Sequence, residues 1–296
     1  MALRSIIDLL TFRWLRPRRP EVAVLRLAGV IGGFGPLRSG MSLASLESLI
    51  ERAFSVPHLS AVALVINSPG GSPSQSALIA NRVRDLAREK EVPVLAFCED
   101  VAASGGYWLA CAADEIFVQP TSIVGSIGVI TSGFGFTEVM QKLGIERRVY
   151  TAGEHKSTLD PFSPENAEDV VRLKALQEDL HEVFKKTVRE RRGHRLKAEE
   201  DVLFSGEFWS GGKAVELGLA DSEGELRQVL RDRFGKRLRL RRIQAPKRLL
   251  RRLGLGRGQA EAGFAVWSDG LPGPADWAAG ALAAVEERSL WSRFGL

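Results

Sequence analysis

Ala61-Val62-Ala63-Leu64-Val65-Ile66, followed at once by Asn67-Ser68-Pro69-Gly70-Gly71, is the stretch from which the fold can be read. Six apolar residues without alternation describe a strand buried on both faces, the habit of parallel sheets. Ser72 or Ser74 then caps a helix running to about Arg88. Paired glycines between strand and helix leave backbone N–H groups free to face an oxyanion or phosphate, although a plain tight turn uses the same residues.

The pattern continues on both sides. Residues 22–31 and 92–98 read as further strands and residues 41–54 as a helix, with a small-residue helix over 104–112. Short strands are expected at 115–118, 126–131 and 147–150, a helix at 136–143 between the last two, and a long amphipathic helix over 164–192. Residues 236–243 alternate Arg and Leu like an exposed edge strand. Residues 254–273 suit a linker, and 275–294 an amphipathic helix. The repeated strand–helix alternation predicts an α/β fold, a mainly parallel sheet covered by helices, with ligands at the carboxyl ends of the strands.

A second glycine loop, Ala102-Ala103-Ser104-Gly105-Gly106-Tyr107-Trp108, follows the 92–98 strand. A serine among small residues at a strand-to-helix turn presents its hydroxyl at a helix N-terminus, and the N–H of Gly105 can serve as an oxyanion donor. The plainer role for Ser104 is an N-cap. Neighbouring parallel strands bring their C-terminal loops together, which favours the chemical role. A nucleophilic serine needs a base. His58 sits at the wrong end of its strand, and His181 and His194 lie on or after a charged helix. His155 stays open, but Lys156, in the loop Gly153-Glu154-His155-Lys156, is the sharper candidate.

Five motifs in order then carry a resemblance: Asn67-Ser68-Pro69-Gly70-Gly71, Ala103-Ser104-Gly105-Gly106-Tyr107, Gly125-Ser126-Ile127-Gly128-Val129, Gly153-Glu154-His155-Lys156 with Asp160-Pro161-Phe162, and Ser205-Gly206 through Gly218-Leu219-Ala220-Asp221. Over about residues 22–230 the chain resembles the signal peptide peptidase A (protease IV) family, in its short SohB-like branch. The resemblance implies a Clp-protease/crotonase-like fold and a Ser–Lys dyad, with Ser104 as nucleophile and Lys156 as general base. Gly70, Gly71 and Gly105 would be the oxyanion donors, and Ser126 or Ser157 would orient the lysine. It further implies peptide substrates, and a ring-like homo-oligomer in which the lysine of one subunit reaches the serine of the next. A lysine in water is only about 0.04% neutral at pH 7, so such a base must be kept dry.

Charge divides the chain differently. Residues 1–20 carry five Arg against Asp8, and residues 231–257 carry twelve Lys/Arg against Asp232. With a net +5 overall, the body over 21–230 is acidic. Three regions are expected: a basic amphipathic segment at 1–20, a serine peptidase domain at 21–230, and a basic extension and tail at 231–296. Bulky apolar residues interleave with both basic flanks, which suits either an anionic membrane surface or a solvated tail. Nucleic acid is not an expected partner, because no recognition motif accompanies the charge. Two cysteines, Cys98 and Cys111, cannot build a disulfide framework, and neither a metal nor a cofactor is expected. No signal peptide or membrane span is read, so the expected place is the cytoplasm, peripheral on the inner membrane. Two other readings remain at this stage: a crotonase-type acyl-CoA hydratase or isomerase, and a non-catalytic membrane scaffold.

Overall fold

Strand β2 (Leu59–Ser68) extends the quoted apolar run at both ends and lies between β1 (Glu21–Ala28) and β3 (Val94–Ala103), parallel to both. The computed structural model describes residues 19–32, 40–244, 284, 285 and 287–296. Residues 1–18 and the 254–273 linker lie outside these, as does most of the C-terminal helix, of which 284, 285 and 287–292 are seen to be helical.

Alternate residues of the three central strands build two cores. Leu25, Leu64 and Ala96 face one side with Ile79 and Val83, where α1 (Leu43–Phe54), α2 (Pro73–Lys90), α3 (Gly105–Ala110) and α5 (Ala167–Arg192) pack. Val22, Ala63, Leu95 and Phe97 face the other side with Leu230 of α8 (Leu226–Phe234). Beyond them, Val101 and Ala103 are covered by Phe294 and Trp291, and Phe294 meets Phe208 edge-on at 5.2 Å. Burial on both faces is why β2 carries no polar alternation.

The sheet runs β6-β5-β3-β2-β1-β8, with β4 (Glu115–Val118) pairing β3 and β7 (Ser222–Glu223). All pairs are parallel except β5 (Ile123–Gly125) with β6 (Phe208–Ser210). Strand β8 (Arg239–Ile243) is the edge strand expected near 236–243, and it pairs with β1. Further short helices among the described residues include α4 (Thr137–Lys142), α6 (Glu200–Leu203) and α7 (Gly211–Glu216).

Three expectations are corrected. Strand β3 does not stop at 98. It crosses Glu99-Asp100, whose polarity hid the continuation, and changes partner from β4 to β5 as it does so. Glu99 is held by Arg26 at 2.6 Å, and Asp100 by the Asn67 amide at 2.7 Å. Residues 126–131 form no strand, because positive φ at Gly125 and Ser126 turns the backbone out of the sheet. Residues 147–150 form none either: they lie on an exposed arm, with Tyr150 91% exposed and no strand among the described residues to pair with.

The start of β3 is fastened by Asp114, which accepts from the Val94 N–H at 2.9 Å and from Arg84 at 2.7 Å. Partial burial pushes its carboxyl up, but the Val94 bond and the Arg84 and Arg191 guanidiniums outweigh this and hold it below the ordinary aspartate range. A depressed folded-state value means the contribution is complete above the unfolded value and disappears as pH falls through the folded one. Asp114→Asn should therefore lower stability at neutral pH. The gap to the parent should close in urea titrations carried below about pH 4. A gap that stays constant to strongly acid pH would refute this.

Candidate active site

The carboxyl ends of β2 and β3 bring the two glycine loops together, as parallel neighbours must. Ser104 closes β3 with φ 53° and ψ −122°, a conformation that costs a non-glycine residue of order 1–3 kcal/mol. Two bonds hold it there: its N–H donates to the Gly125 carbonyl at 2.8 Å, and its carbonyl accepts from the Trp108 N–H at 3.0 Å. Ser104 occupies the N-cap position of α3 by backbone alone, since its side chain makes no capping hydrogen bond. The hydroxyl is left for other work.

The glycines explain themselves by proximity. A Cβ on Gly70, at φ 103°, would stand 2.8 Å from the Ser104 Cβ and 2.9 Å from the Gly105 nitrogen. One on Gly71 would sit 2.0 Å from the Ile31 carbonyl oxygen, and one on Gly105 2.4 Å from Ser76 Oγ and 3.4 Å from the Gly71 nitrogen. Only backbone fits here.

The three expected donors are not equivalent. The Gly70 N–H already donates to the buried Ser68 Oγ at 3.2 Å. The N–H groups of Gly71 and Gly105 donate to no other backbone group among the described residues. They remain as a neighbouring pair of free donors, and Gly70 contributes close approach. Ser126, buried at φ 52°, follows the Gly125 carbonyl that holds Ser104, and its own N–H is tied to the Glu207 carbonyl at 2.7 Å.

Lys156 is placed apart. It lies in an exposed turn, and no hydrogen bond or ion pair joins its side chain to Ser104 or to any other described residue. His155 beside it is exposed as well. The turn belongs to an arm that leaves the body after β5 and returns at α5. Helix α4 on this arm buries no residue, and Phe134 and Leu143 are 80% and 66% exposed. A clip closes the arm's base: Arg147 pairs with Asp160 and stacks 4.8 Å over Phe162, which itself stacks on Phe136 at 5.5 Å. Asp160-Pro161-Phe162 thus shapes the lysine loop, a role its sequence did not announce. His181 lies on α5, the charged helix, yet does not face open water. It is half-buried, with Nε2 3.0 Å from the Ile127 carbonyl, and so ties α5 to the loop after Ser126.

The last motif is structural. Asp221 accepts from Arg192 Nη1 at 2.6 Å, from the Ile116 N–H at 2.7 Å and from Arg195 Nη1 at 3.2 Å, and Arg192 is 1% exposed. Arg192 also donates twice to the Gly218 carbonyl.

Residues 86–234, half of the chain, match the family model described as Peptidase family S49, and Ser104, Lys156 and Asp221 all fall within that span. The chain belongs to peptidase family S49. Over its whole length it is 47% identical to a protein of Brucella abortus (strain 2308) named Na(+)/H(+) antiporter NhaA, of which it covers 40%. It is 32% identical over 220 residues to the chloroplastic serine protease SPPA of Arabidopsis thaliana, covering 72% of this chain and 32% of that one. It is 34% identical over 171 residues to the probable protease SohB of Buchnera aphidicola subsp. Acyrthosiphon pisum (strain APS), covering 57% of this chain and 49% of that one. The chain therefore spans about a third to a half of the length of these relatives. Family membership and the mainly parallel, helix-covered sheet bear out the expected Clp-protease-like fold and the likeness to signal peptide peptidase A and SohB.

Proposed function

We propose that this S49 member is a serine endopeptidase whose nucleophile is Ser104 and whose general base is Lys156 of an adjacent copy. One observation carries the reading: Ser104 is held in a strained turn with its hydroxyl uncommitted, beside two free N–H groups. In the reaction, Ser104 Oγ attacks the scissile carbonyl while the lysine amine takes its proton. The N–H groups of Gly71 and Gly105 receive the developing oxyanion. The lysine returns the proton to the leaving amine, and a water deprotonated by the same amine then frees the acyl-serine.

The exposed lysine is the reason for a second copy. Apolar side chains along residues 130–150 would be covered when the arm docks on a neighbour, and docking would withdraw the amine from water, the condition under which a lysine can act as a base. A ring of copies satisfies every arm. Substrate would add as an extended strand beside the loops over 119–135. Relatives named signal peptide peptidase and SohB support peptides derived from the membrane as substrates. The antiporter-named relatives and the basic flanks support a place at a membrane surface, on its cytoplasmic side. No helix of the described residues is long and apolar enough to cross a membrane.

A fluorophosphonate probe tests the nucleophile directly. Ser104 should be labelled, Ser104→Ala should not, and Lys156→Ala should react much more slowly. Attachment at another residue would remove the proposal, and would reopen acyl-CoA chemistry on the same fold.

A further inference from the structure

The described ends of the two basic flanks, far apart in sequence, meet at one edge of the sheet. Strand β1 starts at Glu21 opposite Arg239 of β8, and the Pro20 carbonyl accepts from the Arg239 N–H at 3.0 Å, so residues 19–20 lie beside the start of β8. Arg239 and Arg241 are used internally, with Arg241 2.7 Å from Glu21 and Arg239 3.9 Å from it, and Arg233 reaches Glu115 at 2.7 Å. Arg227, Arg231, Lys236 and Arg242 meet no carboxylate among the described residues, and all four are exposed. They line a single groove of about 470 Å³ between α8 and β8, floored by the part-buried Leu238 and Leu240. An adjoining groove of about 460 Å³ shares Arg227, Leu240 and Arg242 and runs up the open sheet face past Val65 and Phe97. On α5, by contrast, Arg172, Lys185, Arg189, Arg191 and Arg192 all meet acids.

Four cations held together without counter-charge repel one another, and an anionic partner relieves that. The apolar floor and the leucines at 249, 250, 253 and 255 in the basic run beyond β8 suit a bilayer, where cation and hydrocarbon are both satisfied. A nucleic acid would use stacking aromatics, and neither groove offers more than the recessed Phe97. We propose that the α8–β8 edge is the face on which this protein docks to an anionic membrane surface, with Arg227, Arg231, Lys236 and Arg242 taking lipid phosphates. The proposal rests on the membrane placement given above and names the surface responsible. It is independent of the Ser–Lys reading.

Vesicle sedimentation with the full chain tests it, using phosphatidylcholine alone and phosphatidylcholine with about one-third phosphatidylglycerol. The parent should pellet with the anionic vesicles and stay free of the neutral ones. With each cation near the surface worth about fivefold, the variant with Arg227→Gln, Arg231→Gln, Lys236→Gln and Arg242→Gln should bind on the order of several hundredfold more weakly, with an unchanged circular dichroism spectrum. If that variant binds like the parent while Arg248→Gln with Arg251→Gln and Arg252→Gln abolishes binding, the groove is overturned and membrane placement survives. If the parent ignores anionic vesicles, both are overturned. Displacement from vesicles by duplex DNA at equal phosphate would make the edge a nucleic-acid surface instead.

Discussion

Ser104→Ala should abolish peptide cleavage, lowering kcat on the order of 10⁴-fold or more, as loss of a nucleophile does in serine hydrolases. Lys156→Ala should cost a similar factor, because the serine hydroxyl is inert without a base. The two inactive proteins, mixed after dissociation and reassembled, should regain activity. If the lysine serves a neighbour, roughly a quarter of the contacts in a random ring join an intact serine to an intact lysine. Turnover of an apolar fluorogenic peptide before and after mixing measures this. Recovery to nothing would show that both groups act within one chain, and full activity in the Lys156→Ala protein would remove the dyad. The single chain makes the neighbour arrangement the natural expectation, since the lysine arm exposes its apolar residues and makes no hydrogen bond to Ser104.

Asp221→Ala should produce the largest loss of stability. It leaves the Arg192 guanidinium, 1% exposed, with the Gly218 carbonyl as its remaining partner, and it strips the Ile116 N–H of its acceptor. Removing one partner of a buried pair costs about 3–5 kcal/mol. At about 2–4 °C per kcal/mol for a domain of this size, the melting temperature should fall by roughly 10 °C. Differential scanning calorimetry reads the effect, and a shift of only a degree or two would mean that water or a rearranged Arg195 replaces the carboxylate. Asp221→Asn, which keeps an oxygen near Ile116 but no charge, should fall between the two.

What could be read from the sequence was whatever short-range pattern determines. An unbroken apolar run followed by paired glycines specified a buried parallel strand and the loop beside Ser104, because burial on both faces leaves no room for polar alternation. Ser104 was visible for the same reason. The rest depends on contacts distant in sequence. That the Gly70 N–H is spent on Ser68 is set by the path of the turn, so three apparent donors became two free ones. Glu99-Asp100 looked like the end of a strand because their partners, Arg26 and Asn67, belong to β1 and β2. Val149 and Tyr150 have the composition of a strand but no strand to join, and β-propensity says nothing about neighbours. The pairing of β1 with β8 spans more than 200 residues, and nothing in either segment announces the other.

Both thiols of this chain are out of reach. Cys98 and Cys111 are buried and unpaired, and burial pushes each thiol up to about 12, so neither offers a thiolate to an alkylating reagent at neutral pH. Ser104→Cys would thus introduce the one thiol open to alkylation at neutral pH, with neither native cysteine replaced. Its rate of carboxamidomethylation, with Lys156 intact and with Lys156→Ala, would then report directly on whether that amine influences the position.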